Sequence, residues 1–150
     1  MKSVHIGETC LAYLRVTGPY GENYEPAVEQ LYRWAGEQKL QGGQCLFIYH
    51  DDPDKIAPAQ CRTDICLTVP AGTVASGDVA IQTLAAGKYC TRREIVRHKE
   101  DYPMYWKEIE NDVKNAGFEL DERPCFELYH SYDIETHVAD VGFYLAVKGE

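Results

Sequence analysis

The chain has 150 residues, and 24 Asp and Glu against 15 Lys and Arg leave a formal charge of −9. A hydrophobic share of 45% and a charged share of 26% describe an ordinary globule of one domain, and no apolar run approaches the ~20 residues that a membrane-spanning helix needs. Residues 1–75 carry 6 basic and 9 acidic side chains and residues 76–150 carry 9 and 15, so neither half offers the clustered cations that nucleic-acid phosphates require.

The opening residues, MKSVHIGETCLAYLR, hold no apolar stretch long enough for a secretory signal, so a cytoplasmic protein is expected. A first strand is predicted over 7–16. A helix then opens near Asn23, a good capping residue, with Pro26 tolerated in its first turn. Val28, Leu31 and Ala35 form its apolar stripe. The next strand, 45–50, alternates in two faces and runs into His50-Asp51-Asp52-Pro53-Asp54, a cluster of turn formers. A third strand starts at Asp64 and ends at Val69-Pro70-Ala71-Gly72, and Gly72 to Asp78 forms a seam. The same order then recurs. A strand is predicted over 87–96, and a helix from Asp101 and Pro103 to Gly117 carries the stripe Trp106, Ile109, Val113. Strands over 125–130 and from Asp140 close the chain.

The recurrence is also visible residue by residue. Gly7-x-x-Cys10 matches Gly87-x-x-Cys90, Cys45 to His50 matches Cys125 to His130, and Asp64 to Val69 matches Asp140 to Leu145. The chain therefore reads as α+β, a tandem duplicated strand-helix-strand-strand unit with pseudo-twofold symmetry, its antiparallel sheet covered by helices on one face. Repeat one takes about 1–75 and repeat two about 76–150.

If helices cover one face, alternation sorts the side chains. Leu46, Ile48, Phe126 and Leu128, with Ile65, Leu67, Val141, Phe143 and Leu145, are core candidates. The other parity holds Cys45, Phe47 and Tyr49 in the first copy, and Cys125, Glu127 and Tyr129 in the second. It also holds Asp64, Cys66 and Thr68, matched by Asp140, Gly142 and Tyr144. A carboxylate one step from aromatic rings suits a cation, the rings giving apolar walls and the carboxylate the opposing charge. The alternative is that Glu127 points to water. Trp106 lies on the helix stripe and reads first as packing, while Tyr105 at its edge can reach a cleft.

Catalytic and metal motifs are sparse. There is no HExxH, GxSxG, Walker loop or GxGxxG, and none of the cysteines at 10, 45, 61, 66, 90 and 125 forms a Cys-x-x-Cys pair. The expectations are accordingly no catalytic residue, no metal and no cofactor, with the cysteines as small buried thiols. Glu127, desolvated beside rings, is the one candidate for a general base.

Taken together, residues 45–54 (CLFIYHDDPD), 61–70 (CRTDICLTVP), Gly87-Lys-Tyr89, 124–130 (PCFELYH) and 140–147 (DVGFYLAV) resemble the DNA gyrase inhibitor family, the GyrI-like or SbmC-type proteins. The resemblance implies a tandem strand-helix-strand-strand fold and a protein that binds DNA gyrase, reduces supercoiling and protects against gyrase-directed toxins. The same domain serves regulators as an effector-binding module for cationic amphipaths, so a cationic or aromatic small molecule is the second implied partner, without direct contact to nucleic acid or membrane. The family's ligand glutamate falls on Glu127, its final-strand tyrosine on Tyr144, and its aromatic at the start of the second helix on Tyr105 or Trp106. With the face reading, the expected ligand-binding set is Glu127, Tyr144, Tyr129, Tyr105, Trp106, Asp140 and Phe47. Two departures stand out: Asp140 where many relatives have Glu, and Ala146 where many have Pro. Some relatives hydrolyse cyclopropane-bearing alkylating toxins, so the alternatives to a gyrase inhibitor are a stand-alone drug-binding protein and a detoxifying hydrolase. A monomer is expected.

Overall fold

The computed structural model describes residues 1–149. It contains strands β1 (Lys2–Ile6), β2 (Thr9–Thr17), β3 (Cys45–Tyr49), β4 (Arg62–Thr68), β5 (Ala80–Leu84), β6 (Gly87–Val96), β7 (Cys125–Tyr132) and β8 (Ala139–Ala146), with helices α1 (Tyr24–Glu37) and α2 (Tyr102–Asn115). The protein is α+β, and β2-α1-β3-β4 and β6-α2-β7-β8 are the two strand-helix-strand-strand copies expected from the repeats. No helix among the described residues is long and apolar enough to cross a membrane.

The chain divides into two compact units. The contiguous unit is Thr9–Leu84; the split unit joins Met1–Glu8 to the chain from Ala85 onward. In the contiguous unit the strand order is β3-β4-β2-β5, and in the split unit β1-β6-β8-β7. All of these pairings are antiparallel. The seam near residue 75 is therefore not where the compact units part. β1 precedes β2 yet pairs with β6, from Lys2 against Thr91 to Ile6 against Gly87. β5 precedes β6 yet pairs with β2, from Thr9 against Leu84 to Tyr13 against Ala80. The strand ahead of each copy thus pairs with the other copy, β1 with β6 and β5 with β2.

Both helices follow their apolar stripes. Leu31, Trp34 and Ala35 of α1 are buried with Ala12, Ile65, Leu67 and Val79. Ile109 and Val113 of α2 are buried with Cys90, Val96, Val141, Phe143 and Leu145. Asn23 and Asp101 stand at the two N-caps as expected, but neither side chain makes a capping hydrogen bond. Asn23 instead takes a left-handed conformation (φ 66°), which Asn tolerates better than most residues. Gly117 supplies the left-handed stop after α2 (φ 83°), its N–H donating to the Lys114 carbonyl.

The register corrects one expectation about the faces. Cys45 pairs with Leu67 and Phe47 with Ile65; Glu127 pairs with Phe143 and Phe126 with Tyr144. Residues directly opposite on paired strands point the same way. The helix-covered face therefore carries Cys45, Phe47, Cys125, Glu127 and Tyr129, and not Leu46, Ile48, Phe126 and Leu128. Leu46, Ile48 and Phe126 are nonetheless buried, on the reverse face. Two apolar faces leave alternation with no way to say which one a helix covers.

The reverse face of the contiguous unit holds a buried carboxylate. Asp64 is 0% exposed and accepts from Arg15 Nε at 2.8 Å and Nη2 at 3.1 Å, and from Gln82 Nε2 at 3.0 Å, while His50 Nε2 lies 2.6 Å away. Burial alone would raise this carboxyl; the bonds from His50, Arg15 and Gln82 overcome it and hold the group well below the usual carboxylate range.

Candidate functional site

Glu127 is the third residue of β7 and lies beneath α2, in reach of Trp106. The strand places its side chain on the helix-covered face, and the first turns of α2 bring a row of rings over it because Tyr102, Tyr105 and Trp106 share an inward stripe with Ile109 and Val113. The carboxylate is 1% exposed. Trp106 Nε1–H donates to Oε2 at 2.9 Å and Tyr129 Oη–H donates to Oε1 at 2.8 Å. Tyr129 and Tyr102 place their hydroxyls 3.4 Å apart, extending the polar chain outward. The apolar wall is Phe143, directly opposite Glu127 on β8. Its ring meets Trp106 edge-on at 5.2 Å and lies 5.7 Å from Tyr105 and 6.1 Å from Tyr102.

Neighbouring groups register the buried charge. Burial pushes the Tyr102 phenol up to about 12; the hydrogen bond with Tyr129 opposes this and the Glu127 charge adds to it. Burial likewise pushes the Cys125 thiol up to about 12, with Glu127 again raising it. Both stay protonated at neutral pH, so Glu127 faces a neutral phenol at Tyr102 and a neutral thiol at Cys125. Such a site has the means to hold a cation against ring faces with a fixed opposing charge. Among the described residues no cluster of three His, Cys, Asp or Glu is arranged to hold a metal ion.

The structure gathers four of the seven expected residues: Glu127, Tyr129, Trp106 and Tyr105. Tyr144 and Asp140 lie on the reverse face of the same sheet. Tyr144 stacks on Phe126 at 4.7 Å with planes 7° apart, and meets Tyr89 edge-on. Gly142 makes room for that ring, since a Cβ there would stand 2.9 Å from Tyr144 Cε1. Asp140 is bound to Arg93 Nε at 2.7 Å and Nη2 at 2.6 Å. Phe47 belongs to the contiguous unit, where it packs edge-on against Tyr24 at 5.3 Å. Two residues of the cluster lie outside the expected ligand-binding set: Tyr102, which stands three residues before Tyr105, a spacing that signals a shared helix face, and Phe143, a core candidate from its strand parity.

A sequence profile of the GyrI-like small molecule binding domain matches residues 2–146. The chain is 34% identical to a DNA gyrase inhibitor from Edwardsiella piscicida over 124 residues, covering 79% of this chain and 78% of that one. It is 30% identical to DNA gyrase inhibitor 2 of Dickeya dadantii (strain 3937) over 119 residues, covering 77% and 75%. Among solved structures it superposes on EcmrR in a DNA complex (TM-score 0.78, 14% identity), matching 99% of this chain but only 57% of that longer one. It also superposes on SAV2435 bound to tetraphenylphosphonium (TM-score 0.62, 15% identity), with 99% and 93% covered. The structural matches concern the fold. Sequence profile and relatives together settle the family: this chain belongs to the GyrI-like small molecule binding domain family.

Proposed function

We propose that this protein inhibits DNA gyrase, as its relatives are named for doing, and that it takes a cationic aromatic molecule at Glu127. The gyrase reading is supported by relatives whose names carry it and which match this chain over three quarters or more of both lengths. One observation carries the ligand reading: a carboxylate 1% exposed, with both oxygens engaged by aromatic donors under a wall of Tyr102, Tyr105, Trp106 and Phe143. A delocalised organic cation such as tetraphenylphosphonium, which SAV2435 binds, matches a site of rings and one acid. The ligand would separate the donors from the carboxylate, or slide beside them, and exchange two hydrogen bonds for a charge contact.

Two assays test the proposal. Purified gyrase supercoiling a relaxed plasmid is expected to slow as the chain is added, and no effect at large excess refutes the gyrase reading. Calorimetric titration with tetraphenylphosphonium is expected to show binding that Glu127→Gln weakens by about 100-fold, since a cation about 5 Å from a carboxylate at an effective dielectric near 20 gains roughly 3 kcal/mol. Equal binding by both proteins refutes the ligand reading. Turnover of a cyclopropane-bearing alkylating compound, abolished by Glu127→Gln, would favour the hydrolytic alternative.

A further inference from the structure

We propose that the tip of the β7–β8 hairpin, Tyr132 to Thr136, is the surface that docks on gyrase. The inference rests on the gyrase reading above and adds the contact element to it. Ile134, 80% exposed, is the most exposed large hydrophobic residue among those described, and Tyr132 beside it is 49% exposed. Neither serves the core beneath α2.

The tip is also ordered. Asp133 N–H donates to the Val138 carbonyl at 3.0 Å, and His137 N–H to the Asp133 carbonyl at 2.8 Å. Asp133 Oδ1 accepts from the N–H of Glu135 at 2.8 Å and of Thr136 at 3.2 Å. Tyr132 Oη and His137 Nδ1 meet at 2.6 Å, and His137 closes the turn at φ 60°. An isoleucine held outward on a pinned loop enters a partner with little further ordering, which is the condition for an anchor residue. The tip residues themselves, with Arg97, Ser131 and Val138, line an open concavity of about 830 Å³, so Ile134 stands at the wall of a surface hollow.

Charge decides the occupant. Ile134 stands between Asp133 and Glu135, on a chain of net −9. A second copy would bring the same acids and the same sign. A protein surface built to hold DNA is cationic, and an apolar hollow with a basic rim complements an isoleucine flanked by acids. Such a contact associates faster at low salt.

The test uses the full chain carrying Ile134→Asp or Glu135→Lys, both at exposed positions. The concentration giving half-inhibition of gyrase is expected to rise tenfold or more for Ile134→Asp and severalfold for Glu135→Lys. Melting temperature and tetraphenylphosphonium binding are expected to stay unchanged in both. A wild-type chain that inhibits, with Ile134→Asp inhibiting equally well, overturns this docking surface and leaves the gyrase reading standing. A wild-type chain that leaves supercoiling untouched overturns both. A wild-type dimer that sediments as a monomer after Ile134→Asp gives the tip to a second copy and overturns the proposal.

Discussion

Replacing Asp64 by Asn probes the most heavily bonded buried group of the contiguous unit. Four donor contacts converge on this carboxylate, from Arg15 (two), His50 and Gln82, between 2.6 and 3.1 Å. Asparagine keeps the shape, removes the charge and turns an N–H₂ toward groups that are themselves donors. Removing one partner of a buried ion pair typically costs 3–5 kcal/mol. Here Arg15 is 41% exposed and His50 20%, so both recover some hydration and the lower end applies, about 3 kcal/mol. For a chain of this size that corresponds to a fall of about 6–12 °C in Tm. The pH dependence has a definite sign. The folded carboxyl titrates below the unfolded value of ~3.9, so its stabilisation is complete above about pH 5 and is lost as pH falls through the folded value. Thermal melts by circular dichroism at pH 7, 4 and 2.5 should therefore show the gap between wild type and Asp64→Asn narrowing with acid. A gap under 2 °C at pH 7, or one that does not shrink, refutes the reasoning.

Three further outcomes are expected. Trp106→Phe leaves Glu127 Oε2 without its indole donor and should destabilise by about 1–3 kcal/mol, read as a lower urea midpoint. Tyr102→Phe removes a phenol that ionises near 12 when folded and near 10 when unfolded. Wild type should lose stability as pH rises from 10 toward 12 because the unfolded chain ionises first, and the variant should show a shallower alkaline limb. Gly87→Ala presses a Cβ into the Arg123 guanidinium, which donates to the Lys88 and Val147 carbonyls at 2.8 and 2.9 Å and lies over the Tyr89 ring. It should lower Tm by several degrees, whereas Gly36→Ala, in open space within α1, should raise it slightly.

What the sequence discloses here follows from which forces are local. Leu31 and Ala35, or Ile109 and Val113, recur at helical spacing because one cylinder buries one stripe, and that period is written in consecutive residues. The duplicated blocks fix the order of elements for the same reason. Strand pairing is not local. Alternation says that Glu127 and Tyr129 share a face, yet the register that sets Glu127 opposite Phe143 instead of beside Tyr144 depends on a residue sixteen positions away. Since Phe126 and Phe143 are both buried, hydrophobicity could not choose between them. The candidate site was accordingly legible in its acid, its indole and two of its tyrosines, and misassigned across the sheet. The Asp64 cluster was invisible, because Arg15 and Asp64 stand 49 positions apart.

The trade of leading strands has a consequence for how the chain is made and cut. Thr9–Leu84 is contiguous, so during synthesis it has every strand it needs before Gly87 is added. Lys2–Ile6 emerges before Thr9–Leu84 and must wait for Gly87–Thr91 to be translated. A protease that clips the first eight residues would therefore spare the sheet nearest the cut in sequence and strip β6 of its outer neighbour. That leaves a bare ladder of amides and carbonyls, ready to recruit another polypeptide.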